Sequence, residues 1–209
     1  MPEELTKPID WFGHASFRIR GTKTIYIDPW KIKTAYLDGD LIFITHSHYD
    51  HFSVDDIKKA AKPEAIIVAP ASMKSELSFK NVVLLKPGEN VTLAEVGIEA
   101  IRSYNTNKKF HPKSNNWLGY VINLDGVRYY HAGDTDLIEE MKAVSCDVAM
   151  LPVSGVYVMT AKEAILAAQR IGPKVAIPMH WGDIVGGKSD AEQFAAGAPC
   201  PVVIKEPIK

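Results

Sequence analysis

Cysteine is nearly absent from this chain: Cys146 and Cys200 are the two among 209 residues. They stand far apart and in no ligand spacing, which excludes a thiolate metal site and a disulfide framework. Cys146 precedes the apolar run Asp147-Val148-Ala149-Met150-Leu151, so it reads as a buried thiol in a reducing, cytoplasmic setting. Long apolar runs are missing as well. The longest are strand-sized, far short of the roughly 20 residues that cross a bilayer. Residues 1–8 are too polar for a secretory signal. Neither sign of charge is in excess, with 24 Lys and Arg against 25 Asp and Glu. No global field therefore selects nucleic acid or an anionic membrane. There is no Gly-rich loop of the phosphate-cradling kind, no low-complexity linker and no internal repeat. These absences leave one ordinary globular domain over residues 1–209.

What the chain does have is histidine in a pattern. Thr45-His46-Ser47-His48-Tyr49-Asp50-His51 follows Asp40-Leu41-Ile42-Phe43-Ile44, an apolar segment of strand length. Ser53, with Asp56 three residues on, starts a capped helix just beyond it. In extended backbone His46 and His48 project to one side and can share an ion, while Asp50 and His51 reach a second one after the bend. Imidazole and carboxylate donors suit zinc and its first-row neighbours.

The remaining elements follow from periodicity and turn signals. The opening meander spans residues 9–13, 15–20 and 24–27, ended by Asp28-Pro29. Further strands are expected at 65–69, 82–85, 147–151, 175–179 and 202–204, and hairpins at 90–103 and 118–130. Helices are expected at 54–62, 71–78, 137–143, 160–171 and 190–196. Residues 104–117 carry no periodicity, and a structureless loop of that length is often functional.

Several strands end in the same vocabulary: His46, His48, Asp50 and His51, then His131 and Asp134, then His180. If those ends share one rim, they can build a two-metal site with a bridging hydroxide as nucleophile. His46-x-His48-x-Asp50-His51, Gly133-Asp134-Thr135 and Pro178-Met179-His180 resemble three sequential motifs of the metallo-β-lactamase superfamily. Gly13-His14-Ala15-Ser16-Phe17, Ile27-Asp28-Pro29-Trp30 and Tyr129 to Asp136 narrow the resemblance to metal-dependent hydrolases related to ascorbate-6-phosphate lactonase.

The resemblance implies an α/β fold, a four-layer αβ/βα sandwich with the site at one edge between two mixed sheets. It also implies that His46 and His48 bind metal 1, that Asp50, His51 and His180 bind metal 2, and that Asp134 bridges them. His111 is the candidate third histidine of metal 1, with Asn105 as the alternative. The cofactor implied is two divalent ions, zinc first, with manganese or iron as alternatives.

Asp50, Asp134 and His14 are the catalytic candidates; His14 serves as a substrate contact or proton donor, or as plain structure. His131 is read as holding a ligand, Asp28 as a turn former ahead of an orienting carboxylate, and Tyr157 and Met159 as pocket or core. Lys108, Lys109 and Lys113 either give the site a basic rim for an anionic small molecule or are merely solvated. The expected reaction is hydrolysis of an ester, lactone or phosphodiester in a small, anionic substrate. The competing readings are a metal-binding module without hydrolytic activity, a phosphodiesterase or nuclease, and di-iron redox chemistry. Neither nucleic acid nor a membrane is expected as partner, and a homo-oligomer is left open.

Overall fold

The computed structural model describes residues 2–208. Two six-stranded sheets face each other, each laid down in chain order. The first holds β1 (Ile9–Gly13), β2 (Ser16–Arg20), β3 (Thr24–Ile27), β4 (Gly39–Phe43), β5 (Ala61–Pro70) and β6 (Val82–Leu85). The second holds β7 (Asn90–Leu93), β8 (Val96–Arg102), β9 (Leu118–Leu124), β10 (Val127–His131), β11 (Val148–Pro152) and β12 (Val175–Met179). Each begins as an antiparallel meander. The first turns parallel from β3 to β6 and the second from β10 to β12.

Among the described residues the α-helices are α1 (Pro2–Thr6), α2 (Val54–Ala60), α3 (Ala161–Ile171) and α4 (Lys188–Gly197). The period-2 alternation of β3 and β4 sorts their side chains into two cores. Ile25, Ile27, Leu41 and Phe43 face the second sheet, whereas Tyr26, Ile42 and Ile44 pack with Ile57 and Ala60 of α2. On the far side α3 lies along β11 and α4 along β12, burying Ala164, Ala168 and Phe194. The layers are therefore helix, sheet, sheet, helix, as the αβ/βα expectation has it.

Several boundaries differ from expectation. Residues 71–78 reduce to the 3-10 turn Ala71–Met73, and 137–143 to the 3-10 segment Glu139–Ala143. Each has one buried anchor inside it, Met73 or Met141, too little to hold successive helical turns. α2 stops at Ala60 and β5 begins at once, four residues before its apolar stretch. Val202 makes one bridge, to Ala176, in place of a strand over 202–204. The tail beyond it returns to the start of the chain: Lys205 Nζ donates to the carbonyls of Thr6 (2.7 Å) and Ile9 (2.6 Å).

Pairing directions make β1, β3 and β4 co-directional in one sheet and β8, β10, β11 and β12 in the other. Their C-terminal ends meet at one rim. The His180 N–H donates to the His14 carbonyl (2.9 Å) and the Leu118 N–H to the Thr45 carbonyl (3.1 Å) across it. Tyr120 adds its hydroxyl to the Ile44 carbonyl (2.8 Å).

Candidate metal centre

The loop after β4 is held by a carboxylate from the end of β3. Asp28, fully buried, accepts from the Thr45 N–H (2.8 Å), the Thr45 hydroxyl (2.6 Å) and His51 Nδ1 (2.7 Å). A carboxylate only accepts, so His51 carries its proton on Nδ1 and turns Nε2 inward. The Thr45 proton is committed to Asp28, so Thr45 Oγ1 accepts from His46 Nδ1 (2.9 Å) and frees His46 Nε2 in the same way. His46 Nε2 then lies 3.0 Å from His48 Nδ1. Asp28 was expected chiefly as a turn former. Its φ of 46° fits that, but its bonds make it the anchor that orients two histidines.

From the second sheet, the loop after β8 brings His111. Asn105 Oδ1 accepts from the His111 N–H (3.0 Å) and from its Nδ1 (3.1 Å). Asn105 Nδ2 donates to the Tyr157 carbonyl (2.8 Å) and to Asp136 (3.2 Å). The amide is thus spent on positioning His111, whose Nε2 points on toward Asp134 Oδ2 at 3.2 Å. Asp136, fully buried, also accepts from the Thr106 N–H (2.8 Å) and from Lys108 Nζ (2.5 Å). It is the post around which the irregular loop winds.

Asp134 itself follows Gly133, whose φ is 65° and where a Cβ would stand 2.9 Å from the Leu118 carbonyl. Only glycine fits both conditions. Asp134 Oδ2 also meets His180 Nε2 at 3.0 Å, and Oδ1 lies 3.4 Å from His51 Nε2. His180, at φ 60°, is braced by Ser154 Oγ on its Nδ1 (3.0 Å). His14, at φ 52°, reaches Asp50 Oδ2 with Nε2 (3.1 Å), its ring centroid 3.9 Å from that of His180. Such left-handed backbone at three polar site residues is local strain held by the fold. His131 stays out of the cluster. Its Nε2 donates to the Ala15 carbonyl (2.9 Å) and its Nδ1 accepts the Gly133 N–H (3.2 Å), which fixes the turn before Asp134.

Three donor groupings result: His14, Asp50, His51 and His180; His46, His48 and His111; and His46, His51 and Asp134. Within each, the donor atoms lie within 4.8 Å of one another. Among the described residues, five buried side-chain polar atoms lack a hydrogen-bond partner. Four of them belong here: His14 Nδ1, His51 Nε2, His111 Nε2 and Asp134 Oδ1. Buried polar atoms without partners are rare and costly, so inward-facing lone pairs of this kind fit a cation between them.

Without an ion, burial and neighbouring charges set the protonation of the cluster, and a cation would have to displace the proton that the carboxylates favour on His51 Nε2. Burial holds His46 well below the usual imidazole range and takes His14 down to about 4. Burial also opposes a charge on His51, yet the Asp134 and Asp28 carboxylates overcome it and lift its pKa. Burial opposes ionisation of Asp134 too, but His180 and His51 hold its carboxyl well below the usual carboxylate range.

The cluster opens at His48 and Asp50, which are half-buried, into a cleft of about 250 Å3. Tyr49, Phe110, Tyr157 and Ile184 complete its wall with His111, Asp134 and His180. The basic rim is not there. Lys108 is bound to Asp136, Lys113 lies over the Tyr104 ring (4.4 Å) and near Glu140 (3.3 Å), and Lys109 is not in the wall. Met159 is fully buried core. Sequence reasoning did not single out Asp136, Ser154 or Trp117, whose ring lies 4.8 Å from that of His46. The place of Ser154 and Asp136 just past strand ends was the available signal. Neither thiol is bridged, and both are half-buried.

The fold and this donor set define a class, the metal-dependent hydrolases. The family described as "Beta-lactamase superfamily domain" matches residues 8–180, and the chain belongs to that superfamily. Within it the chain is similar to a UPF0173 metal-dependent hydrolase of Thermococcus onnurineus, 33% identical over 216 residues, covering 95% of this chain and 96% of that one. A structure from Parabacteroides distasonis, described as a metal-dependent hydrolase, matches with TM-score 0.85 and 32% identity, covering 96% of this chain and 93% of that one. Igni18, a metallo hydrolase of Ignicoccus hospitalis, matches with TM-score 0.79 and 26% identity, covering 96% and 95%.

Proposed function

We propose that this chain is a dinuclear metallohydrolase cleaving an ester, lactone or phosphodiester in a small molecule. The observation that carries the reading is Asp134, one carboxylate in reach of His111 from one donor grouping and of His180 and His51 from the other. On this reading His46, His48 and His111 would hold metal 1 and Asp50, His51 and His180 metal 2, with Asp134 in reach of both sets. Imidazole and carboxylate donors accommodate zinc first, or manganese or iron. A bound metal pair lowers the pKa of water and polarises a carbonyl or phosphoryl oxygen.

The chain's residues do the rest. Asp28, Thr45, Asn105 and Ser154 fix which nitrogen of each histidine faces inward, so the donors need little rearrangement on loading. Asp50, half-buried on the wall of the cleft, is the carboxylate best placed to receive a proton from incoming water or pass one to a leaving group. His14 sits behind Asp50, buried and neutral, and steadies it or adds a nitrogen to metal 2. Direct proton donation by His14 has less support than either role. An open cleft against the donors favours catalysis over a metal site that serves stability alone.

No helix among the described residues is long and apolar enough to cross a membrane, and two unbridged thiols are compatible with the cytoplasm. The test is metal analysis of the purified protein, then a hydrolysis screen over lactones, esters, thioesters and phosphodiesters. Asp134→Ala should lower turnover by more than about a hundredfold, beyond what loss of a merely orienting group costs. Wild-type turnover in that variant sinks the reading.

A further inference from the structure

We infer that the substrate is a neutral carbonyl ester, thioester or lactone carrying an apolar arm, bound with that arm along Tyr49, Phe110 and Tyr157. This rests on the hydrolase reading and narrows its substrate. The first ground is the mouth of the cleft. Among the described residues, Tyr49 (69% exposed), Phe110 (49%) and Val156 (49%) are three of the seven large hydrophobics left in solvent. Tyr49 and Phe110 line the metal cleft directly, and Val156 precedes the lining residue Tyr157. Large apolar side chains scattered singly are ordinary, but a group of them around one concave site marks a binding surface.

The second ground is geometric. Phe110 stands edge-on to Tyr157 with ring centroids 4.6 Å apart, and Tyr49 stands edge-on to Trp30 at 6.3 Å. Both exposed rings are thus braced by an aromatic neighbour, and Ile184 adds an aliphatic wall. A pocket built this way offers flat apolar area at low cost in side-chain freedom.

The third ground is charge. The wall of the cleft contains no lysine and no arginine; its charged side chains besides histidine are Asp50 and Asp134. Of the nearby cations, Lys108 is held by Asp136, Lys113 by Glu140 and Lys31 by Asp183 (2.8 Å), while the exposed Lys109 lies outside the wall. A phosphate or carboxylate on the arm of the substrate would find two acidic groups and no fixed cation beyond the metal pair. The phosphorylated lactone that the sequence resemblance brings forward is therefore a poor fit to this wall. A cleft of about 250 Å3 also lies below the roughly 300 Å3 at which pockets for drug-sized ligands begin, so the arm is short.

In the reaction, the oxygen of water forms a bond to the carbonyl carbon and the bond from that carbon to the leaving oxygen or sulfur breaks. One proton of water ends on the leaving group and the acid product takes the added hydroxyl oxygen.

The test uses the metal-loaded protein and two matched series: p-nitrophenyl esters from acetate to octanoate, and γ-lactones with alkyl arms of rising length. Each is paired with an analogue ending in carboxylate or phosphate. We expect kcat/KM to rise about three- to fourfold per methylene until the cleft is filled, and the anionic partner of each pair to be at least tenfold worse. Phe110→Ala and Tyr157→Ala should flatten the series, with the largest loss at the longest arm. Calorimetric binding of alkyl hydroxamates of the same arm lengths reads the surface without turnover and should tighten in step.

A flat series together with length-independent hydroxamate binding overturns the inference. So does preference for the anionic partners, or for bis(p-nitrophenyl) phosphate over every carbonyl substrate. In each of those outcomes metal-dependent turnover persists, so the hydrolase reading survives. Absence of any metal-dependent turnover, with no metal bound, instead sinks that reading itself.

Discussion

Asp28 holds both carboxylate oxygens in bonds to Thr45 and His51 while lying at φ 46°. Replacing it by asparagine puts an N–H where an acceptor is needed, leaving without a partner either both His51 Nδ1 and the Thr45 hydroxyl, which share Oδ2, or the Thr45 N–H, which bonds Oδ1. Groups that orient metal ligands in this way are typically worth ten- to hundredfold in metal affinity. Asp28→Asn should weaken metal binding by that range in a chelator-competition titration, and unchanged affinity would refute the anchoring role. The candidate donors His46, His48, Asp50 and His51 were legible in the chain as a group, because H-x-H-x-D-H concentrates them within a few residues of one strand end. Their supports were not. Asp28 lies 23 residues from His51, and Ser154 lies 26 from His180. A lone Asp or Ser after a strand carries no mark of the partner that folding brings to it.

The segment of residues 104–117 holds one short 3-10 turn, Lys113–Asn115, and the stretch before it is organised by Asp136. That buried carboxylate serves Asn105, Thr106 and Lys108 together. Truncating it strands buried polar partners, a change that costs about 3 kcal/mol or more. Asp136→Ala should lower the urea midpoint accordingly and make the 104–117 loop the first site of limited proteolysis. Cleavage elsewhere, at wild-type stability, would show the loop to be held by other means.

Elements with a strong period were read correctly from sequence. Alternating β2, the run of β4 and α3 came out within a residue. The 3-10 pieces were read too long, because helix-forming residues were present there without a continuous apolar stripe to bury. β5 was read too short, since Lys62 and Glu64 at its start are polar and the latter is exposed.

At the scale of the whole molecule, four histidines are held neutral by burial and one is held charged by carboxylates. His14, His46, His48 and His131 have lowered pKa values, and His51 a raised one. A lowered histidine stabilises the fold above its unfolded pKa of 6.5 and loses that contribution as pH falls toward its folded value, about 4 for His14. The raised His51 contributes fully below 6.5 and less as pH climbs toward its own folded pKa. Stability of the metal-free protein should therefore peak near the ordinary imidazole value of 6.5, with the acid limb the steeper. Urea unfolding of chelator-treated protein between about pH 5 and 8.5 measures this, a window that avoids most carboxylate and thiol titration. A symmetric or monotonic profile would contradict it.

The two sheets are consecutive in the chain, joined only by the few residues between Leu85 and Asn90. His14, His46, His48, Asp50 and His51 hang from one of them; His111, Asp134 and His180 hang from the other. A guest seated among these groups would grip both halves at once and act as a clasp. The tightness with which the clasp is held and the reluctance of the halves to part are then a single free energy. Any change that loosens one sheet from its fellow will be felt as leakage of the ion.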